Sequence, residues 1–429
     1  MNSVLQCVAS IPQLLHYFAG EDTWFEDMPT ANPALHPPLA VQSINRGTKV
    51  VETFALVMDG LKDLSLPPNK EPPAFNPGPL KYSMGEVNEN FKDFQQQDAN
   101  EFFLSLVNAL HDGLNKRIGM SITTTPPLPS KEGSSDDDPE NNTRLALHHM
   151  RQYIRRNSPK SIILKTFMFQ TRSVTKCHEC FRVSSTFGTE FSLEVPIQHP
   201  TTSSPSSSST PVALEQCLQS FSELSRFRYN AKEVDTKTGK NISGYLCGKC
   251  NKRVDATRQT QMYSLPNVLV VTLKRFKSFG NFSEKISTPV SVPNTLDMAP
   301  FCCSSTSNSI VCGSGAPPSS SSPVSAVSAP YVLHKATEAE SKNNEGGGVG
   351  EEGDVPMTIE PTTGTRYRLI GIVNHRGNCN GGHYTADVCS QASVGSSSGE
   401  VWNSCSDDVV TQGVKPSRAL AYMLFYALE

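Results

Sequence analysis

No run of about eighteen apolar residues occurs anywhere in this chain of 429 residues, so no segment is long and apolar enough to cross a bilayer as a helix, and no membrane is expected among its partners. A surplus of one charge is missing too. The 38 basic residues stand against 41 acidic ones, a formal net charge of -3, which leaves no electrostatic footprint for nucleic acid or an anionic surface. The apolar stretch at the start lacks basic residues before it and is interrupted by Gln6, Gln13 and His16, so it fails as a secretory signal. Twelve cysteines are too few for a disulfide scaffold in a chain of this size, and a reducing compartment, the cytosol or nucleus, is expected. No internal repeat is evident.

What is present begins as helix. Val4, Leu5, Val8, Leu15 and Phe18 recur at roughly helical spacing and predict one amphipathic helix over residues 2–18, bent at Pro12. A second is predicted from Gln97 to Leu114, with Phe102, Phe103, Leu106, Leu110 and Leu114 on its apolar side and Asp98 and Glu101 spaced as in a capping box. Strand patterns follow at 166–175, 182–195, 268–276, 367–374, 383–389 and 422–427. Helices first and strands later argue for an α+β fold, a helical lobe on a largely antiparallel sheet.

Three stretches break the pattern. Residues 119–144 carry Thr, Pro and the Asp136-Asp137-Asp138 run; 199–211 are almost all Ser, Thr and Pro; 302–363 are rich in Ser, Gly and Glu. Such compositions bury too little apolar surface to offset the entropy of ordering, so disordered insertions within one folded unit are expected.

Cys177-His178-Glu179-Cys180 and Cys247-Gly248-Lys249-Cys250 supply four thiols in two pairs, the number and pairing that tetrahedral zinc takes. Four thiolates leave no open coordination position, so the zinc would be structural. The 66 residues between Cys180 and Cys247 must loop out between two paired hairpins. His178 is expected to be a solvated bystander.

Near the C-terminus, Gly381-Gly382-His383-Tyr384-Thr385-Ala386 places a histidine at the start of a strand, after glycines that let a peptide backbone approach closely. A lone histidine at a strand edge is usually structural. Here the downstream segment Trp402-Asn403-Ser404-Cys405-Ser406-Asp407-Asp408 offers polar groups able to orient an imidazole, as a third catalytic residue must.

These motifs, together with Gln95-Gln96-Gln97-Asp98-Ala99-Asn100-Glu101-Phe102 and the run from Leu265-Pro266-Asn267-Val268-Leu269 to Leu273-Lys274-Arg275-Phe276, resemble in order the ubiquitin-specific protease family. The resemblance covers nearly the whole chain outside the insertions. It implies a papain-like hand: a thumb over residues 1–165, fingers with the zinc site over 166–262, and a palm over 263–429. It also implies a thiol-dependent deubiquitinase that cuts the bond after ubiquitin's C-terminal glycine, with ubiquitin and ubiquitinated proteins as partners and a monomeric state. Carried over by position, His383 would be the general base and Ser406 the third residue, where the family usually has Asp or Asn. A serine accepts a hydrogen bond but cannot stabilise an imidazolium by charge, so Asp407 would share or take that role. Asp98 and Glu101 match acidic positions that contact the basic residues of ubiquitin's tail, and they fit a helix cap equally well. His375, Gly381 and Gly382 would line the tail's channel, His375 being equally readable as an ordinary loop histidine.

The departure is at the start. The family's nucleophile motif, Gly-Asn-Thr-Cys-Tyr-Met-Asn-Ser, is matched only by Met1-Asn2-Ser3, which puts the expected cysteine and its oxyanion-hole asparagine before Met1. Cys7 would lie about two helical turns, roughly 12 Å, from the expected position, and Cys379 has no helix N-terminus to lower its pKa. Two expectations follow: Met1 is an internal methionine of a longer active enzyme, or the chain is a non-catalytic ubiquitin-binding scaffold. A zinc-ribbon nucleic-acid binder, the third reading, has no basic stripe to support it.

Overall fold

The structure, a computed structural model, describes residues 1–20, 23–29, 38–62, 75–114, 161–197, 211–233, 241–279, 282–303, 331–335, 357–361, 364–379, 381–390 and 401–429. The helical part opens with α1 (Asn2–Ala9) and α2 (Pro12–Ala19). The expected single bent helix is therefore two. Ile11 is extended, at φ -87° and ψ 108°, because a residue before proline is driven out of the helical region, and Pro12 starts α2 where its missing N–H costs nothing. Next come α3 (Pro38–Lys62), α4 (Gly78–Val87), α5 (Ala99–Gly113) and the short α6 (Ile162–Phe167). Helix α3 was not foreseen, although Val50, Val51, Phe54, Val57 and Met58 form one buried face at helical spacing.

The strands follow in chain order. A long antiparallel pair, β1 (Phe169–Cys177) and β2 (Val183–Glu190), is succeeded by β3 (Leu193–Pro196), β4 (Val212–Ala213), helix α7 (Leu214–Ser222), β5 (Ser225–Phe227), β6 (Tyr245–Cys247), β7 (Lys252–Val254) and β8 (Ala256–Ser264). Then come β9 (Val268–Lys274), the hairpin β10 (Phe276–Phe279) and β11 (Phe282–Lys285), β12 (Val290–Ser291), β13 (Thr295–Asp297), β14 (Tyr331–Lys335), β15 (Met357–Pro361), β16 (Arg366–Asn378), β17 (Gly381–Ser390), β18 (Val401–Ser406), β19 (Val409–Gln412) and β20 (Ala421–Leu428).

Two main sheets result. One has the order β15-β14-β8-β1-β2 with β5 added to β8; the turn between β1 and β2 carries the first cysteine pair, and the separate β6–β7 hairpin brings the second pair to it. The other, ordered β19-β18-β17-β16-β20-β9-β3 with β13 added to β16, is the platform for the histidine. The expectation of a helical part and a largely antiparallel sheet thus stands. Of the expected disordered stretches, 119–144 lies outside the described residues, as does 199–211 except for Pro211. Within 302–363 the structure departs from the expectation: β14 and β15 pair with each other, and Tyr331 pairs with Ser264 of β8.

The platform is covered on both faces. Along β9 and β20, Val268, Val270, Met423 and Phe425 face the core beneath the helices, while Leu269, Val271, Leu273, Leu424 and Tyr426 face a second core with Leu214 and Leu218 of α7. Burial on both faces explains the uninterrupted apolar run Val268-Leu269-Val270-Val271, since alternation disappears when neither face meets water. Phe103 joins the two parts, its ring 5.2 Å from Phe167 and 5.7 Å from Phe425, both edge-on. Removing a fully buried ring at such a junction leaves a cavity, so Phe103→Ala is expected to lower unfolding free energy by about 3–5 kcal/mol. Urea denaturation checks this; a loss below about 1 kcal/mol would show that the junction repacks freely.

Candidate functional site

The site forms where the N-terminus of α5 meets the starts of β17 and β19. Asp98 caps α5: its Oδ1 accepts from the N–H groups of Asn100 at 2.8 Å and Glu101 at 3.0 Å. Its Oδ2 accepts from the hydroxyl of Tyr422 on β20 at 2.5 Å. The capping box is only half made, because Glu101 accepts instead from Asn90 Nδ2 at 2.6 Å. Asp98 is thus the helix cap that the spacing predicted and also a tie between helix and sheet.

Strands β16 and β17 pair from Gly371↔Val388 to Asn378↔Gly381, so the two runs flanking the glycines form one hairpin. Two positions in it tolerate nothing but glycine. Gly377 has φ +127°, and a Cβ on Gly382 would lie 2.4 Å from His375 Nε2 and from Arg376 O. His375 is buried beneath Gly382, its ring 4.6 Å from that of Tyr384 and 5.3 Å from that of Phe276. Burial, with the cation of Lys285 nearby, pushes His375 down to about 4. Lys285 donates to the carbonyls of His375 at 2.9 Å and Gly377 at 3.0 Å, fastening the hairpin from outside.

His383 stands at the mouth of a cleft of about 420 Å³ lined by Met1, Asn2, Phe94, Gln96, Tyr384 and Asp407 among others. Its Nε2 lies 3.0 Å from Ser406 Oγ and 3.8 Å from the Asp407 carboxylate. Ser406 is the last residue of β18, and Asp407 occupies the following turn in a left-handed conformation, φ +50°, one that aspartate tolerates better than most residues. The neutral hydroxyl is therefore at hydrogen-bond distance and the charge is farther off, on a side chain that remains 66% exposed. With a proton on Nε2 the ring donates to Ser406, and Nδ1 is left with a lone pair, the arrangement of a general base.

Among the described residues, none that lines the cleft is a cysteine. Cys7 is fully buried, its Sγ packed against Gly371, and burial raises its thiol far above the ordinary value. It cannot serve as a nucleophile. The four cysteines of the C-x-x-C pairs, by contrast, meet as expected: Cys177, Cys180, Cys247 and Cys250 have all sulfurs within 4.8 Å of one another, with Cys177–Cys250 at 3.9 Å and Cys180–Cys247 at 3.6 Å. Tetrahedral bonds of about 2.3 Å place sulfurs roughly 3.8 Å apart, so the donor set fits one thiophilic cation. N–H groups of Glu179 and Cys180 point at Cys177, and that of Cys250 at Cys247, as they would toward thiolates. His178 contributes no ligand and instead meets Thr257 Oγ1 at 3.3 Å.

Gln96, Tyr384, Tyr422 and Lys285 belong to this site without having been singled out from the sequence. Tyr384 lies in the glycine-histidine motif and Gln96 in the glutamine run, which were signals of place without role. Tyr422 and Lys285 had no local signal, since their partners lie hundreds or tens of residues away.

A family model described as Ubiquitin carboxyl-terminal hydrolase matches residues 1–426. Among curated relatives, Ubiquitin carboxyl-terminal hydrolase 4 of Saccharomyces cerevisiae is 25% identical over 90% of this chain and 34% of its own length. The human Ubiquitin carboxyl-terminal hydrolase 3 is 26% identical over 70% of this chain and 52% of its own length. This chain thus spans between a third and about half of these relatives. A solved structure described as the SAGA Ubp8/Sgf11/Sus1/Sgf73 DUB module bound to ubiquitin aldehyde shares the fold, with a TM-score of 0.55 and 21% identity over 100% of this chain and 67% of that one.

The buried His375 makes stability depend on acid in a definite direction. The unfolded chain takes up its proton near 6.5 while the folded one stays neutral to about 4, so the unfolded state binds more protons in that window and stability falls as pH falls through it. His375→Phe is expected to lose less stability than the wild type between pH 7 and pH 4.5, measured as the shift in urea midpoint. An equal shift in both proteins would contradict the burial argument.

Proposed function

Because this chain belongs to the ubiquitin carboxyl-terminal hydrolase family, we propose that it binds the C-terminal tail of ubiquitin and serves a cysteine-type deubiquitination, hydrolysis of the bond after ubiquitin's last glycine. The observation that carries this reading is the pairing of His383 Nε2 with Ser406 Oγ at 3.0 Å, beside a cleft whose other wall includes Gln96, Gln97 and Phe102 around the start of α5. In this role His383 Nδ1 takes the proton of a nucleophilic thiol and later delivers it to the leaving amine, while Ser406 fixes the ring. Ser406 adds no charge, so Asp407, at 3.8 Å, is the group that steadies the imidazolium through partly screened space.

The acidic groups Asp98 and Glu101 favour a basic tail, and Gly381 and Gly382 offer main chain close enough to pair with it. His375 serves beneath them as the packed support of that backbone. The four-cysteine cluster is proposed to hold structural zinc, with residues 166–262 acting as fingers between a helical thumb, 1–165, and a palm, 263–429. The similar solved structure is a four-protein module bound to ubiquitin aldehyde, which accords with ubiquitin as the partner, and this chain is proposed to be a monomer in solution. The cytosol or nucleus is proposed as the place of action, in keeping with four reduced thiols gathered for a metal.

We further propose that residues 1–429 alone do not turn substrate over, because the described cysteines near the site are buried or away from the cleft. The second reading, a non-catalytic ubiquitin-binding scaffold, is favoured by that same observation. Purified chain 1–429 is expected to bind ubiquitin and to remain unlabelled by ubiquitin carrying a C-terminal electrophile, read as the absence of a mass shift. Covalent labelling would overturn the claim of inactivity, and absence of ubiquitin binding would sink the function itself. For the metal, about one zinc per chain is expected by elemental analysis, and Cys250→Ser or strong chelation is expected to lower the thermal midpoint. Zinc-free protein of unchanged stability would refute the site.

A further inference from the structure

The main-chain groups of Gly382 are occupied. Its N–H donates to Gln96 Oε1 at 2.6 Å, and its carbonyl accepts from Gln96 Nε2. One exposed side chain from the segment before α5 thereby pairs with both polar groups of the residue that precedes the base. In an antiparallel ladder the N–H and C=O of one residue face the same side. Both groups of Gly382 reach Gln96, so both face away from β16, on the side that β18 takes farther along β17. Strand β18 pairs with β17 only from Ala386 to Ser390. Beyond that, Gly381 to Thr385 present an edge with no strand partner among the described residues, and such an edge is a template for an added strand.

A primary carboxamide offers one donor and one acceptor in the geometry of a peptide group. We propose that Gln96 is a latch: its carboxamide stands in for a peptide group of the substrate tail on the edge of β17, and the tail must displace it to reach His383. This rests on the reading that the tail is that of ubiquitin. Three features support it beyond the pair itself. Gly382 can present its backbone this way only because it lacks a Cβ, whose place is taken by His375 and Arg376 O. Gln96 lines the same cleft as His383. The latch also joins the helical part to the sheet directly across the path that an extended peptide would follow, so the closed state and the bound state exclude each other.

The latch makes affinity depend on what the tail must displace. Gln96→Ala removes two competing hydrogen bonds and is expected to tighten ubiquitin binding by about thirtyfold, since each such bond is worth on the order of 1 kcal/mol net. Gln96→Asn keeps the amide chemistry but is one methylene short of spanning both groups, and is expected to behave like Gln96→Ala. Fluorescence anisotropy of labelled ubiquitin on chain 1–429 reads both, and NMR hydrogen exchange of the Gly382 amide should be faster in Gln96→Ala than in the wild type. Ubiquitin binding by the wild type with equal or weaker affinity in both variants would overturn the latch and leave the function standing. Equal Gly382 exchange in wild type and Gln96→Ala would also overturn it. No binding by any of the three proteins would overturn the function, and the latch with it.

Discussion

The carboxylate of Asp98 is the constraint on which the site's geometry depends. One oxygen accepts from two N–H groups at the start of α5 and the other from Tyr422 on β20. Cap bonds are typically worth about 1 kcal/mol, and hydrogen bonds to a charged group about 1.5–3 kcal/mol. The adjacent Asn100 adds two more ties, accepting from Thr272 of β9 at 3.0 Å and donating to Glu194 of β3 at 3.2 Å. The first turn of α5 is therefore held to three strands by polar contacts, while its later turns are held by Phe103, Leu106 and Leu110 in the core. The polar start of α5 and its apolar body are thus tied to the same sheet.

The same carboxylate shows how far a sequence can be read. The spacing of Asp98 and Glu101 correctly announced a helix start, since a cap is a local device, and the four cysteines announced their cluster for the same reason. Ser406 and Asp407 were both candidates beside the imidazole, and only the end of β18 separates them: Ser406 completes the strand and Asp407 begins the turn. Tyr422, whose hydroxyl reaches Asp98 across 324 residues of chain, carries no mark of that role in its neighbourhood. Long-range partners become visible only once strand order is known.

What escaped at the level of the fold has physical causes too. Strand β8 was not foreseen because most of its residues, Thr257 to Gln261, are half-buried on both faces, and without a dry face there is no apolar alternation to read. Helix α3 carried the right period, but Val50 and Val51 are β-branched and two glycines interrupt it, so propensity argued against the pattern that packing rewards. The break at Pro12 went the other way. Proline's effect on Ile11 was stronger than a bend, because an extended residue there lets α1 and α2 each bury their own apolar side, Val4, Leu5 and Val8 in one and Leu14 and Phe18 in the other.

The two histidines of the β16–β17 hairpin stand in contrasting environments. His375 lies buried under the hairpin, and burial keeps it neutral far below ordinary pH, so it supports the backbone without adding charge next to the cleft. His383, by contrast, keeps 47% of its side chain exposed beside the cleft. An exposed His375 would remove the ring on which Gly382 rests. The glycines before His383 follow from that division: they let the hairpin close over one ring while presenting main chain beside the other.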